Sequence, residues 1–129
     1  MEATDSSFNS ADRQVTVFNE LPFAHSESVR ERLGASSEQM ARIIGITPRT
    51  YQRRSQQGRL DDAESAKVEM LGALLDLGER VHGSAEEAGM WLTTPILSLD
   101  GHRPIDLLTS VRGYERVKNK LLQIEYGTF

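Results

Sequence analysis

Arg49, Gln52, Arg53 and Gln56 stand at i, i+3, i+4 and i+7. On a helix that spacing sets two guanidiniums and two carboxamides along one outer stripe. Arginine pairs bidentately with the O6/N7 edge of guanine, and glutamine does the same with adenine. Such a stripe could read base edges in a major groove. Arg42, Arg54 and Arg59, with the backbone N–H groups around Ser36 and Ser37, suit phosphate contacts instead. The plain alternative is the solvated face of an ordinary helical hairpin. Charge distribution favours DNA reading. Residues 30–59 hold seven arginines against Glu31 and Glu38, a local charge of +5 in a chain of net charge −4. Residues 1–29 carry −4, residues 61–106 carry −7 and the remainder carries +2. The positive charge is a block between acidic segments, the footprint of local nucleic-acid contact.

Little else in the chain offers chemistry. His25, His82 and His102 are far apart and none has a carboxylate at ligand spacing, so no metal site is expected. Cysteine is absent, which removes disulfides and thiol catalysis. Asp61–Asp62 and Glu86–Glu87 sit at helix starts, where capping explains them. Nothing resembles a phosphate loop or a nucleophile with its base, so neither an enzyme nor a cofactor is expected. No apolar run approaches the roughly 18 residues of a spanning helix. The first twenty residues lack the basic start and apolar stretch of a secretory signal, and the expected location is the cytoplasm.

The elements that must position the stripe can be traced from stop and start signals. Residues 1–22 are polar and aperiodic, an expected flexible arm in which Val15–Phe18 could pair as a short strand. A short helix is expected from about Phe23 to Leu33, stopped by Gly34. Ser36 and Gln39 have capping-box spacing, Met40, Ile43 and Ile44 supply an apolar face, and Gly45 ends that helix. Thr47 is a good N-cap and Pro48 suits the first helical position of a helix running to about Gly58. Two short helices across a glycine turn form a helix-turn-helix. Small Ala41 permits close crossing, Ile46 and Tyr51 anchor the second helix, and Pro48, Tyr51 and Ser55 are expected to face inward.

Asp61 or Asp62 caps a long helix to Val81. Its apolar residues form two stripes, Val68, Leu71, Leu75 and Met70, Leu74, Leu77, Val81, a face wider than one neighbour needs. Leu71, Leu74, Leu75 and Leu77 are the expected dimerisation residues, since a chain of this size gains from a partner subunit. Gly83 stops the helix, and Ser84 with Glu87 caps another. A loop bounded by Pro95 and Pro104 follows, then a short helix at Pro104–Leu108 with Asp106 in its first turn. The last helix runs from about Ser110 to Tyr126, with Tyr114, Val117, Leu121 and Ile124 at 3–4 spacing and Gly127 as its stop. No confident strand or internal repeat appears. The expected fold is all-α, with an amino-terminal helix-turn-helix over 23–60 and a helical carboxy-terminal region over 61–129.

The carboxy-terminal third carries a resemblance. Trp91-Leu92, Pro95, Leu99, Gly101 and Pro104-Ile105-Asp106-Leu107-Leu108 are followed by Thr109, Gly113, Val117, Leu121-Leu122, Ile124 and Tyr126-Gly127. This pattern resembles the antitoxins of the Xre/ParS/MbcA family, and "GITPRTYQRRSQQGRLDDAES" upstream is similar to that family's helix-turn-helix. Arg103 departs from it, since many relatives have a small capping residue before the proline. The resemblance implies a homodimer that represses its own promoter through operator DNA and neutralises a RES-domain toxin. Such toxins consume NAD or transfer ADP-ribose, and the antitoxin blocks the entrance to the active site. On this reading Trp91, Arg103, Arg112, Arg116, Lys120, Tyr126, Gly127 and Phe129 are the toxin-binding candidates. For Trp91 a core role is the first reading and an interface role the second, and the rings of Tyr126 and Phe129 could fold back on Val117, Leu121 and Leu122. The competing class is a stand-alone dimeric DNA-binding regulator without a toxin.

Overall fold

The computed structural model describes residues 20–127. Most of the expected arm, with Val15–Phe18, and residues 128–129, with Phe129, lie outside the described residues. Six helices follow in chain order: α1 (Phe23–Leu33), α2 (Ser37–Ile44), α3 (Pro48–Gln57), α4 (Asp62–His82), α5 (Ala85–Leu92) and α6 (Val111–Tyr126). Two short 3₁₀ turns, Leu97–Leu99 and Pro104–Leu107, lie between α5 and α6. Among the described residues there is no strand, and the fold is all-α.

Local chemistry sets the helix ends. Ser36, Thr47, Asp61, Ser84 and Ser110 each accept a backbone N–H three residues on, satisfying a donor the helix start leaves unpaired. The reciprocal capping box forms at Asp61 and Glu64. At Ser36 and Ser84 the serine half is in place. Gly45 turns the chain out of α2 at φ 93°, where a side chain would be strained. The chain entering α1 and the chain leaving α3 are tied together: Phe23 N–H donates to Gly58 C=O at 2.9 Å, and Leu60 N–H to Leu21 C=O at 2.9 Å.

The leucines of α4 require a correction. Leu71, Leu74, Leu75 and Leu77 are all buried in the chain's own core, between 1% and 8% exposed. The reason is the position of α4, which packs against α1, α2, α5 and α6. A helix with four neighbours needs a wide apolar face, and the width of this one reflects intramolecular burial. Each such leucine contributes about 1.5–3 kcal/mol to folding. From the two stripes it is Met70 that stays 39% exposed.

Gly113 marks the closest approach of two elements. It is buried in the first turn of α6, under the Pro104–Leu107 turn, and a Cβ there would collide with the Leu107 carbonyl. Helix propensity alone favours Gly113→Ala by about 1 kcal/mol. Packing reverses the sign, because backbone rather than a flexible side chain must move. The expected outcome is a loss of about 1–3 kcal/mol by urea unfolding; a neutral or stabilising result would show that the turn can shift freely.

Candidate functional site

The turn between α2 and α3 is three residues long. Gly45 and Ile46 both donate to the carbonyl of Ala41, at 2.9 Å each, which closes α2 with a tight reversal. Thr47 Oγ1 then accepts Thr50 N–H at 3.0 Å and starts α3 with Pro48 in its first turn. Met40, Ala41 and Ile43 are fully buried, so α2 meets α3 through small and apolar surface.

On α3 the expected stripe is exposed: Arg49, Gln52, Arg53 and Gln56 all face solvent. Among the described residues neither Arg49 nor Arg53 is in an ion pair. Arg42 and Ser37 on α2 are exposed too. Arg42 lines a cleft of about 350 Å³ with Gln39 and Ile43 of α2 and with Ile105, Asp106 and Thr109.

Arg54 departs from expectation. Its Nε and Nη2 donate to the two carboxylate oxygens of Glu64 at 2.7 and 2.9 Å, and Nη1 donates to Gln57 at 3.1 Å. Glu64 is buried, and the paired carboxylate holds the Arg54 charge more firmly than usual. Arg54 therefore binds α3 to the start of α4 and does not present a free guanidinium to a phosphate. Pro48 and Ser55, expected to face inward, are exposed. The 3.6-residue period carries the inward line of α3 through Tyr51 to Arg54. An arginine fills that place because Glu64 waits there.

Tyr51 is the second anchor. Its ring packs on Phe23 with centroids 4.9 Å apart. Its hydroxyl donates to Glu27 Oε2 at 2.8 Å and accepts from the fully buried Ser26 at 2.9 Å. Arg30 holds the same carboxylate at 2.9 Å and lowers the Glu27 pKa. Burial above all pushes the Tyr51 phenol up to about 12. Ser26, Glu27, Arg30 and Glu64 were not legible as partners, although Ser26, Val29 and Leu33 do share an inward stripe of α1.

The carboxy-terminal candidates divide into tethered and free side chains. Trp91 is half-buried against the core, tilted on His82 with centroids 5.3 Å apart. Burial lowers the His82 pKa, and its Nε2 is buried without a hydrogen-bond partner among the described residues. Arg103 forms a fork with Asp106 at 2.8 and 2.9 Å. That pair spans the first turn of the Pro104–Leu107 element and serves where a capping side chain is missing. Arg116 donates to Asp100 at 2.9 Å. Arg112, Arg116 and Lys120 follow one ridge of α6, with Arg112 exposed. Tyr126 is 72% exposed and does not fold back, and Gly127 closes α6 at φ 70°. Arg80 of α4 holds Glu125 at 2.6 Å, so the last turn of α6 is pinned beside α4.

These two regions coincide with two known families. Residues 20–72 match the antitoxin Xre-like helix-turn-helix domain, and residues 77–127 match the antitoxin Xre/MbcA/ParS C-terminal toxin-binding domain. The chain belongs to the Xre/MbcA/ParS antitoxin family. Among solved structures, a chain of the M. tuberculosis MbcT–MbcA toxin–antitoxin complex shares the fold of this antitoxin. The TM-score is 0.60 and the identity 21%, over 83% of this chain and 96% of that chain. No match was found among curated proteins.

The antitoxin's Tyr51 anchor has a measurable signature. Tyr51→Phe removes a hydroxyl that serves two partners and should cost about 1–3 kcal/mol in urea unfolding near neutral pH. A phenol at about 12 in the folded chain, against an ordinary 10.0, favours its neutral form on folding. That contribution is complete below pH 10 and is lost as the pH rises from there towards 12. The stability gap between the two proteins should therefore shrink over that alkaline range. A gap that stays constant would place the Tyr51 hydroxyl outside the network.

Proposed function

We propose that this antitoxin binds and neutralises a cognate RES-domain toxin by covering its active site, and represses its own operon through α2 and α3. The observation that carries the DNA half is the division of labour along α3. Arg54 and Tyr51 hold the helix to Glu64 and Glu27, while Arg49, Gln52, Arg53 and Gln56 stay exposed. A helix fixed on one side and free on the other is what base readout needs. Arg49, Gln52, Arg53 and Gln56 are the base-reading residues in this proposal, and Arg42 with the α2 start at Ser37 positions the phosphate backbone. One reading head covers a half-site, so the operator is two-fold related and bound by a homodimer. Leu71 and Leu75, 1% and 3% exposed, offer it little surface. Exposed Met70 and Ala73, beside the small crevice lined by Leu74, Leu77, Tyr114 and Lys118, are the better candidates.

The toxin half rests on the matched carboxy-terminal domain, and the toxin is taken to consume NAD or transfer ADP-ribose. Exposed Tyr126, with the residues to Phe129 and the basic ridge Arg112, Arg116 and Lys120, is proposed to reach the mouth of the toxin's active site. Trp91 and Arg103 support that surface from within the chain.

Two experiments test these halves separately. Arg53→Ala should weaken operator binding by about 1–3 kcal/mol and relax preference at one base pair. Arg42→Ala should weaken all sequences alike and flatten the salt dependence by about one charge. Equal losses on operator and random DNA from both variants would refute the division of roles. A chain ending at Glu125 should keep its fold and its operator binding while toxin neutralisation in co-expressing cells falls sharply. Unchanged neutralisation would move the principal contact to the Trp91–Leu108 segment.

A further inference from the structure

Large apolar side chains left exposed are unevenly distributed. Among the described residues they are Met70, Met90, Leu97, Val111 and Tyr126, and four of these five fall within the matched span 77–127. Single exposed apolar residues are ordinary on a protein surface. Leu97 is not ordinary in degree, being 93% exposed.

It is also held out by a rigid device. Ile96 and His102 form an isolated antiparallel bridge, with Ile96 N–H donating to His102 C=O at 3.1 Å. Gly101 N–H returns to Ile96 C=O at 2.9 Å, and Asp100 N–H donates to Leu97 C=O at 3.0 Å. His102 N–H donates to Leu99 C=O at 3.1 Å, and Asp100 and Gly101 between them have φ of 59° and 79°. Two successive positive φ values under such a bond are the mark of a type I′ turn, for which Asp-Gly is a preferred pair. Leu99 points inward and is 3% exposed, so the two leucines of one 3₁₀ turn are divided between interior and solvent. Arg116 of α6 holds Asp100 at 2.9 Å from the far side of the loop.

Charge near the tip is satisfied within the chain. Asp100 is paired with Arg116, and Asp106 with Arg103. What this loop offers a partner is one isobutyl group on a fixed backbone, with its neighbouring charges already compensated. Such a knob binds with little ordering cost, because the backbone that carries it is set before contact.

We propose that Leu97 is an apolar anchor of the toxin interface, seated in a leucine-sized pocket of the toxin lined by uncharged side chains. This rests on the toxin-binding reading above and adds to it a contact away from the α6 end. The occupant is the toxin, not a second copy of this chain, because the loop lies in the matched toxin-binding span and the charge at its tip is already paired within the chain.

The test titrates full-length protein, Leu97→Ala and Leu97→Asp against a catalytically inactive form of the cognate RES-domain toxin proposed above. Sedimentation and thermal unfolding are followed in parallel. A side chain this exposed contributes nothing to the fold, so both variants should melt and sediment like the parent. Leu97→Ala should weaken toxin binding about tenfold and Leu97→Asp about a hundredfold. Toxin affinity within twofold of the parent for Leu97→Asp overturns the anchor while leaving toxin binding itself intact. Dissociation of a homodimer by Leu97→Asp, with toxin affinity unchanged, also overturns it and assigns the leucine to self-association. A parent chain that does not bind the toxin at all overturns the broader reading and the anchor together.

Discussion

The buried faces of α4 hold the two halves of this antitoxin together. Its 21 residues span about 30 Å, and its apolar side chains are shared among α1, α2, α5 and α6. One hydrophobic core therefore runs from Val29 through Leu71 and Leu75 to Val117 and Leu121. The helix-turn-helix has no separate core of its own to fold around, and neither does the carboxy-terminal bundle. A chain of 129 residues has little apolar material to divide, so sharing one spine is an economical solution.

That constraint settles how the reading helix is held. Helix α3 is short and contributes Tyr51 as its buried apolar residue, so packing alone fixes it weakly. Polar anchors make up the difference. Arg54 grips a buried carboxylate on α4, and Tyr51 engages Glu27 and Ser26 on α1. Removing one partner of such a pair leaves a buried group unsatisfied, and that is what makes these contacts directional. They set the rotation of α3 about its axis and so decide which arginines face outward.

The carboxy-terminal module shows a related economy. Its basic side chains were read from sequence as a pool of partner contacts, yet Arg103 and Arg116 are engaged with Asp106 and Asp100, while Arg112 remains exposed. Exposed pairs of this kind stabilise little. Their consequence is geometric: one spans the first turn of the Pro104–Leu107 element, and the other braces the loop that carries Leu97. Gly113 permits the same compactness, letting α6 start directly beneath the Leu107 carbonyl.

The chain's sequence by itself determined every α-helix among the described residues and nearly every boundary, because caps, glycine stops and apolar periods are local signals that act within a turn or two. It also determined the outer stripe of α3, since four side chains at helical spacing share a face wherever the helix is placed. It could not decide which polar residues were already engaged. Arg54 and Arg53 are adjacent and chemically identical, and only Glu64, ten residues from Arg54 on another helix, separates an anchor from an exposed guanidinium. Nor could it tell whether the wide face of α4 met a second chain or its own neighbours, because an apolar stripe has the same pattern in either case. Tertiary packing decided both. Burial and ion pairing depend on which surfaces meet, and a local pattern carries no record of that.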